Sequence, residues 1–131
     1  MVIDTSALIA ILFDEAEATR LIDAIDADPT RLIGGPTLVE AGAVMLGKKG
    51  PAGAVALDAL MERLDITVEG FSAAAADFAR SAYSRYGKGV GSPAVLNYGD
   101  CLSYGAAQAL SQPLLFKGND FPATDVLVAA Y

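Results

Sequence analysis

The chain contains no histidine and no tryptophan, and only one cysteine. Without histidine there is no Ser-His-Asp or Cys-His relay, no imidazole acid–base chemistry, and almost no known type of catalytic zinc site. A single thiol, Cys101, can close no internal disulfide and build no thiolate metal site, so a small buried hydrophobe is its expected role. Long apolar runs are missing as well. The longest, Ala7 to Phe13, is stopped by Asp14 and Glu15, far short of the roughly 18 residues of a membrane span. No leader-like segment precedes the strand-like stretch that begins at Met1. A cytoplasmic protein with no membrane contact is therefore expected. Positive charge is also scarce, with 9 Lys and Arg against 16 Asp and Glu and a net charge of −7. A passive nucleic-acid binder needs a basic footprint that this composition does not provide. A nuclease that gathers divalent cations on carboxylates needs less of one.

What is present suits one domain over residues 1–131, because 53% of the residues are hydrophobic and this length buries roughly two thirds of its unfolded surface. Met1 to Thr5 reads as a short buried strand running into a helix at Ser6-Ala7-Leu8-Ile9. A second helix, Ala16 to Ala27, places Leu21, Ile22 and Ile25 on one face and is stopped by Asp28-Pro29. Arg31 to Gly34 is a weak strand. Pro36 suits the first turn of a helix that carries Leu38, Val39, Met45 and Leu46, and Lys48-Lys49-Gly50 closes it. Pro51 to Leu64 is another helix, with Leu57, Leu60, Met61 and Leu64 inward, and Ile66 with Val68 a strand. Ser72 caps a helix holding Phe78, Ala79, Ala82 and Tyr83, which Gly87 ends. After the glycine-rich loop Gly87 to Tyr98, a helix is expected over Gly99 to Leu110. Pro113 to Lys117 and Val126 to Ala130 complete the strands. Short apolar strands alternating with helices imply an α/β fold with a mainly parallel sheet. In such sheets ligands bind beyond the carboxyl ends of the strands.

The acids fall where that rule places a site. Asp4 lies at the carboxyl end of the first strand, where an isolated charge is costly unless it is paired or metal-bound. Glu40 sits in the first turns of its helix, on an otherwise apolar segment. Asp100 opens the helix after the glycine-rich loop, and Asp120 follows the next strand in Lys117-Gly118-Asn119-Asp120-Phe121. Each has an ordinary alternative: helix cap for Asp4 and Asp100, dipole-favoured solvent residue for Glu40, turn residue for Asp120. Their agreement on one edge is what points to function. Two carboxylates 4 Å apart repel by roughly 4 kcal/mol at an effective dielectric near 20, so a cluster needs cations. All-oxygen ligation suits Mg²⁺ or Mn²⁺.

At these residues the chain resembles the PIN-domain family, and within it the VapC-type toxins of toxin–antitoxin operons. Met1-Val2-Ile3-Asp4-Thr5-Ser6-Ala7-Leu8 is similar to their opening, Glu40 to their second acid, and Leu96-Asn97-Tyr98-Gly99-Asp100-Cys101 to their third. Leu114 to Phe121, followed by Thr124-Asp125-Val126, resembles the ending of one subgroup. The resemblance implies a three-layer PIN-like fold and a Mg²⁺- or Mn²⁺-dependent endoribonuclease, usually a homodimer. It also implies inhibition by a small cognate antitoxin whose tail enters the acidic groove. Asp4, Glu40 and Asp100 carry over as metal-holding residues, with Thr5 and Ser6 beside them. The fourth acid falls to Asp120, with Asn119 or Asp125 as the alternatives. Arg80, Arg85, Lys88 and Lys117 are the candidates for RNA phosphate contact. The rival reading is a Mg²⁺-dependent phosphatase or phosphoacceptor domain that uses Asp4 as nucleophile and Lys117 on the phosphate. It calls for a second acid at position 6, where this chain has Ser6.

Overall fold

The computed structural model describes residues 1–131. The chain runs through β1 (Val2–Ile3), α1 (Thr5–Leu12), α2 (Ala18–Ala27), β2 (Leu32–Gly34), α3 (Gly35–Lys49), α4 (Pro51–Arg63), β3 (Thr67–Glu69), α5 (Ala73–Tyr86), α6 (Tyr98–Leu110) and β4 (Leu114–Leu115). All strand pairs are parallel, in the order β3-β2-β1-β4. Side chains alternate across a strand, and this sheet uses both faces. Ile3, Ile33 and Leu115 pack into one core with α1 to α4. Val2, Leu32, Leu114 and Phe116 pack into a second core with α5 and α6. The result is three layers, helices on both sides of a parallel sheet, as the sequence implies.

Local signals set the helix boundaries. Ser72 accepts a hydrogen bond from the Ala75 amide at 3.1 Å and starts α5. Asn97 and Asp100 form a reciprocal capping box at the start of α6. Pro36 enters the first turn of α3, while Lys48 and Lys49 occupy its last, where cations complement the helix dipole.

Two expectations need correction. The segment Val126 to Ala130 forms no strand of its own. It meets β4 only through a bridge between Leu114 and Val128, with the Leu114 amide donating to Leu127 and the Ala129 amide donating to Leu114. Of the residues expected to mark α3 and α5, Met45, Ala79 and Ala82 are buried and Leu38 packs against the core, but the others are not inward. Val39 (73% exposed), Leu46 (55%), Phe78 (42%) and Tyr83 (46%) face outward. Inside lie Thr37, Ala41 and Met45 on α3, and Ala75, Ala79 and Ala82 on α5. Small residues are buried because the helices approach closely. A Cβ on Gly53 of α4 would lie 2.4 Å from the Met45 carbonyl, and one on Gly105 of α6 2.4 Å from that of Ala75. A search for large apolar side chains misses a face built for backbone contact.

The strand order positions the site. The chain steps from β1 to β2 to β3, then returns to the other side of β1 for β4, so the winding reverses between β1 and β4. Connections leave in opposite directions there, and the carboxyl ends of those strands are where parallel sheets bind ligands.

Candidate active site

Four acids lie at that edge, each delivered by a different connection. Asp4 directly follows β1. It is 4% exposed and serves as N-cap of α1, its Oδ2 accepting from the Ser6 amide at 2.9 Å and the Ser6 hydroxyl at 2.6 Å. The Lys117 amide, just past β4, donates to Ser6 Oγ at 3.0 Å. Because that N–H can only donate, the serine proton is left for Asp4. Ser6 thus continues the β1–β4 pairing beyond the strands and fixes the Asp4 carboxylate.

Glu40 lies in the second turn of α3, where its Oε2 accepts from the Thr5 hydroxyl at 2.7 Å. Its other oxygen rests against Gly99 of α6, since a Cβ there would lie 2.2 Å from Oε1. Glycine at position 99 therefore admits the Glu40 carboxylate to the start of the helix that carries Asp100. Asp100 accepts from the Asn97 amide through Oδ2 at 2.7 Å. Its pKa is raised to about 6, chiefly by burial, against the lowering effect of that amide, with added repulsion from Asp4, Asp120 and Glu40. This repulsion places Asp120 electrostatically with the other three.

The expected cap roles of Asp4 and Asp100 are real, and they coexist with the clustering. As the side chains stand, no three acids converge tightly enough to share one ion. Asp4 and Asp100 are each drawn toward a donor at their own helix start and Glu40 toward Thr5 of α1, and like charges resist further approach. The donor set nevertheless fits a divalent cation. All donors are oxygen, and Asp4, Glu40 and Asp100 each have one oxygen anchored by the protein and one without a protein donor. That arrangement orients a ligand while leaving it a free electron pair.

The other sequence candidates are placed elsewhere. Asp125 accepts from the Tyr104 hydroxyl at 2.6 Å and from Arg85 at 2.8 Å, so both of its oxygens are engaged. Arg85, stacked 4.5 Å over the Tyr86 ring, is correspondingly bound to a carboxylate rather than free for phosphate. Lys117 extends its side chain to Glu15 and to Glu17, the latter at 2.9 Å without hydrogen-bond alignment. The first of these contacts, then the second, holds its pKa above the ordinary lysine range. Lys117 is therefore not available to a phosphate on Asp4, which removes the main support for the phosphoacceptor reading. Arg80 makes only an exposed 3.6 Å contact with Asp77, and Lys88 is exposed in the loop before α6. Asn119 is exposed beside Asp120. The residues not anticipated are Gly99, Asn97 and Tyr104. Gly99 was visible only as a glycine one step inside a helix, a position that otherwise disfavours it.

A family model described as PIN domain matches residues 1–127. Ribonuclease VapC30 of Mycobacterium tuberculosis is 46% identical over 130 residues, covering 99% of this chain and 98% of that protein. Ribonuclease VapC of Mycolicibacterium smegmatis is 47% identical over 126 residues, 96% of this chain and 97% of that one. Among solved structures, Mycobacterium tuberculosis VapC20, titled a sarcin-ricin loop cleaving toxin, superposes with a TM-score of 0.75 at 18% identity, covering 96% and 95% of the two chains. VapBC2 from Rickettsia felis, bound to a DNA fragment of its promoter, gives 0.74 at 18% identity, covering 97% and 94%. At these identities the structural matches speak for the fold.

Proposed function

The chain belongs to the PIN-domain family, and on that premise we propose that it is the toxin endoribonuclease of a toxin–antitoxin pair, dependent on Mg²⁺ or Mn²⁺. One observation carries the reading. Asp4 is buried and fixed by two neutral donors from Ser6, with no cationic side chain bonded to it. A buried carboxylate without a counter-ion is expensive, and its neighbours Glu40, Asp100 and Asp120 add charge of the same sign. A divalent cation resolves both costs.

In this reading Asp4, Asp100 and Glu40 are the residues that would hold the ion, with Asp120 beside them. A divalent cation held there would supply Lewis-acid polarisation of a scissile phosphate and a lowered pKa for a water nucleophile. The side chains orient this chemistry: Ser6 holds Asp4, Thr5 holds Glu40, and the Asn97 amide holds Asp100. RNA phosphates meet little protein cation at this edge, since Arg85 and Lys117 are both bound to carboxylates. A small antitoxin would enter the same acidic groove, and the protein would pair as a homodimer.

The test is cleavage of single-stranded and tRNA-like RNA by purified protein with Mg²⁺, with Mn²⁺ and with EDTA. Cleavage should require either ion and stop in chelator. Undiminished cleavage in EDTA would overturn the metal-dependent reading.

A further inference from the structure

The loop after β4 carries Asp120 but gives that side chain nothing to hold. Asp120 is exposed, and the loop begins at Gly118 with φ +116°. Its internal bonds run from the Thr124 amide (2.9 Å) and hydroxyl (2.8 Å) to the Phe121 carbonyl and from the Val126 amide to that hydroxyl (3.3 Å), and none reaches Asp120. The place of Asp120 is therefore set by where the loop is tied down. One tie is the buried Phe121, whose ring lies 4.7 Å from that of Phe116. At its far end the loop is tied by the buried Val126 and, beside it, by Asp125.

Asp125 is held from two helices. The Tyr104 hydroxyl reaches it from α6 and the Arg85 guanidinium from α5. Tyr104 is 2% exposed and lies one turn along α6 from Asp100, so one rigid helix presents both Asp100 and the hydroxyl that anchors the facing loop. The bond from Tyr104, then that from Arg85, holds the Asp125 carboxyl below its usual range, which keeps the latch charged at neutral pH. Resting on the reading of Asp100 and Asp120 as metal-holding residues, we infer that Asp125 is a positioning residue: through Tyr104 and Arg85 it fixes the loop that sets Asp120 against Asp100. It is not itself the fourth acid, because both its oxygens are already bonded within the protein.

Mn²⁺ binding by calorimetry tests this directly, alongside the Mn²⁺ concentration giving half-maximal RNA cleavage. Asp125→Ala should weaken Mn²⁺ binding about tenfold, the scale of losing a group that orients a ligand, and shift half-maximal activation by the same factor. The cleavage rate at saturating Mn²⁺ should stay within about twofold of wild type, unlike that of Asp4→Asn. Tyr104→Phe, which keeps the ring in the core and removes one bond, should show a smaller shift of about threefold. Asp120→Asn combined with Asp125→Ala should bind no more weakly than Asp120→Asn alone, because both act through one carboxylate. If Asp125→Ala does not fold, Tyr104→Phe and its combination with Asp120→Asn decide by the same criteria. Fully additive losses, or a lower Tm with unchanged Mn²⁺ affinity, would overturn the inference. A loss of rate at saturating Mn²⁺ as deep as in Asp4→Asn would make Asp125 a direct ligand and overturn it too. A wild type that neither binds Mn²⁺ nor cleaves RNA would instead remove the metal reading on which the inference rests.

Discussion

Strand β1 has a buried charge at each end, and the molecule treats the two in opposite ways. At the amino end the Met1 ammonium bonds to Asp28 (3.1 Å), to the Thr30 carbonyl and to Gln112 (3.3 Å). At the carboxyl end, three residues further along, Asp4 receives only the neutral donors of Ser6. Met1 is 5% exposed and Asp4 4%, so burial is equal and only the pairing differs. Lys117, whose backbone amide bonds to Ser6 beside Asp4, spends its side chain on Glu15 and Glu17. A charge that serves structure is neutralised inside the protein. The uncompensated one faces more charge of its own sign, and that excess is what an external cation can meet.

The largest expected effects come from removing one charge at each end. Asp4→Asn keeps the cap of α1, because asparagine caps as well as aspartate, but loses the ligand charge. RNA cleavage should fall at least about a hundredfold, with Tm within a few degrees of wild type. Asp28→Asn should do the reverse, lowering Tm through a weakened ammonium pair while cleavage stays within about twofold. Activity assays and melts on both proteins check the contrast. A folded Asp4→Asn protein with full activity would erase it.

Gly99→Ala should act next most strongly. The added Cβ meets the Glu40 carboxylate at 2.2 Å, which is the far end of a flexible side chain and can swing away without unfolding α6. Cleavage is expected to drop about tenfold, with a higher Mn²⁺ requirement and nearly unchanged Tm. A large loss of Tm would mean instead that the helix start, not Glu40, absorbs the clash.

The two ends should also answer pH with opposite signs. Burial works to raise the Asp28 pKa, but the Thr30 amide and the Met1 ammonium outweigh it and bring the group below its usual range. Its stabilisation is present above the unfolded carboxyl value and is lost as pH falls through the lower folded value. Asp100 is raised to about 6, so the folded state holds the proton more tightly. Its effect favours folding below the unfolded value of about 4 and is lost as pH rises to 6. In EDTA, wild type should therefore lose a few degrees of Tm between about pH 4.5 and 7, and Asp100→Asn should lose less. Excess Mg²⁺ at pH 7 should raise wild type by mass action and the mutant much less. Equal Mg²⁺ shifts would place Asp100 away from the ion.

The layered architecture was legible because its signals are local: Ser72 and Pro36 at helix starts, Asp28-Pro29 as a stop, short apolar strands between. So was the edge on which the acids gather, because strand ends and helix starts meet there in any parallel sheet. What escaped depends on neighbours that sequence spacing does not bring together. The alanine faces of α3 and α5 are defined by glycines on α4 and α6. The engagement of Asp125 with Tyr104 joins residues 21 apart in the chain, and that of Lys117 with Glu15 joins residues 102 apart. An acid or a base in a loop reads the same whether it awaits a ligand or is already paired.

Lys117 gives the smallest expected effect. Its ammonium is about one-third exposed, as are its glutamate partners, and solvent screens such a pair so that it contributes little to stability. The link that matters to Asp4 is the Lys117 backbone amide on Ser6, which any non-proline residue supplies. Lys117→Ala should therefore lower Tm by a few degrees at most, with a deficit that shrinks in high salt, and leave kcat and KM for RNA within about twofold. Lys88, exposed and without a carboxylate partner, serves as the comparison. Lys88→Ala should reduce the slope of log affinity against log salt by about one if it meets a phosphate, whereas Lys117→Ala should leave that slope unchanged. A lost phosphate contact in Lys117→Ala would show that the lysine leaves Glu15 and Glu17 for the substrate. The carboxyl end of β1 would then carry a cation of its own, and the asymmetry between the two ends of the strand would hold only in the free protein.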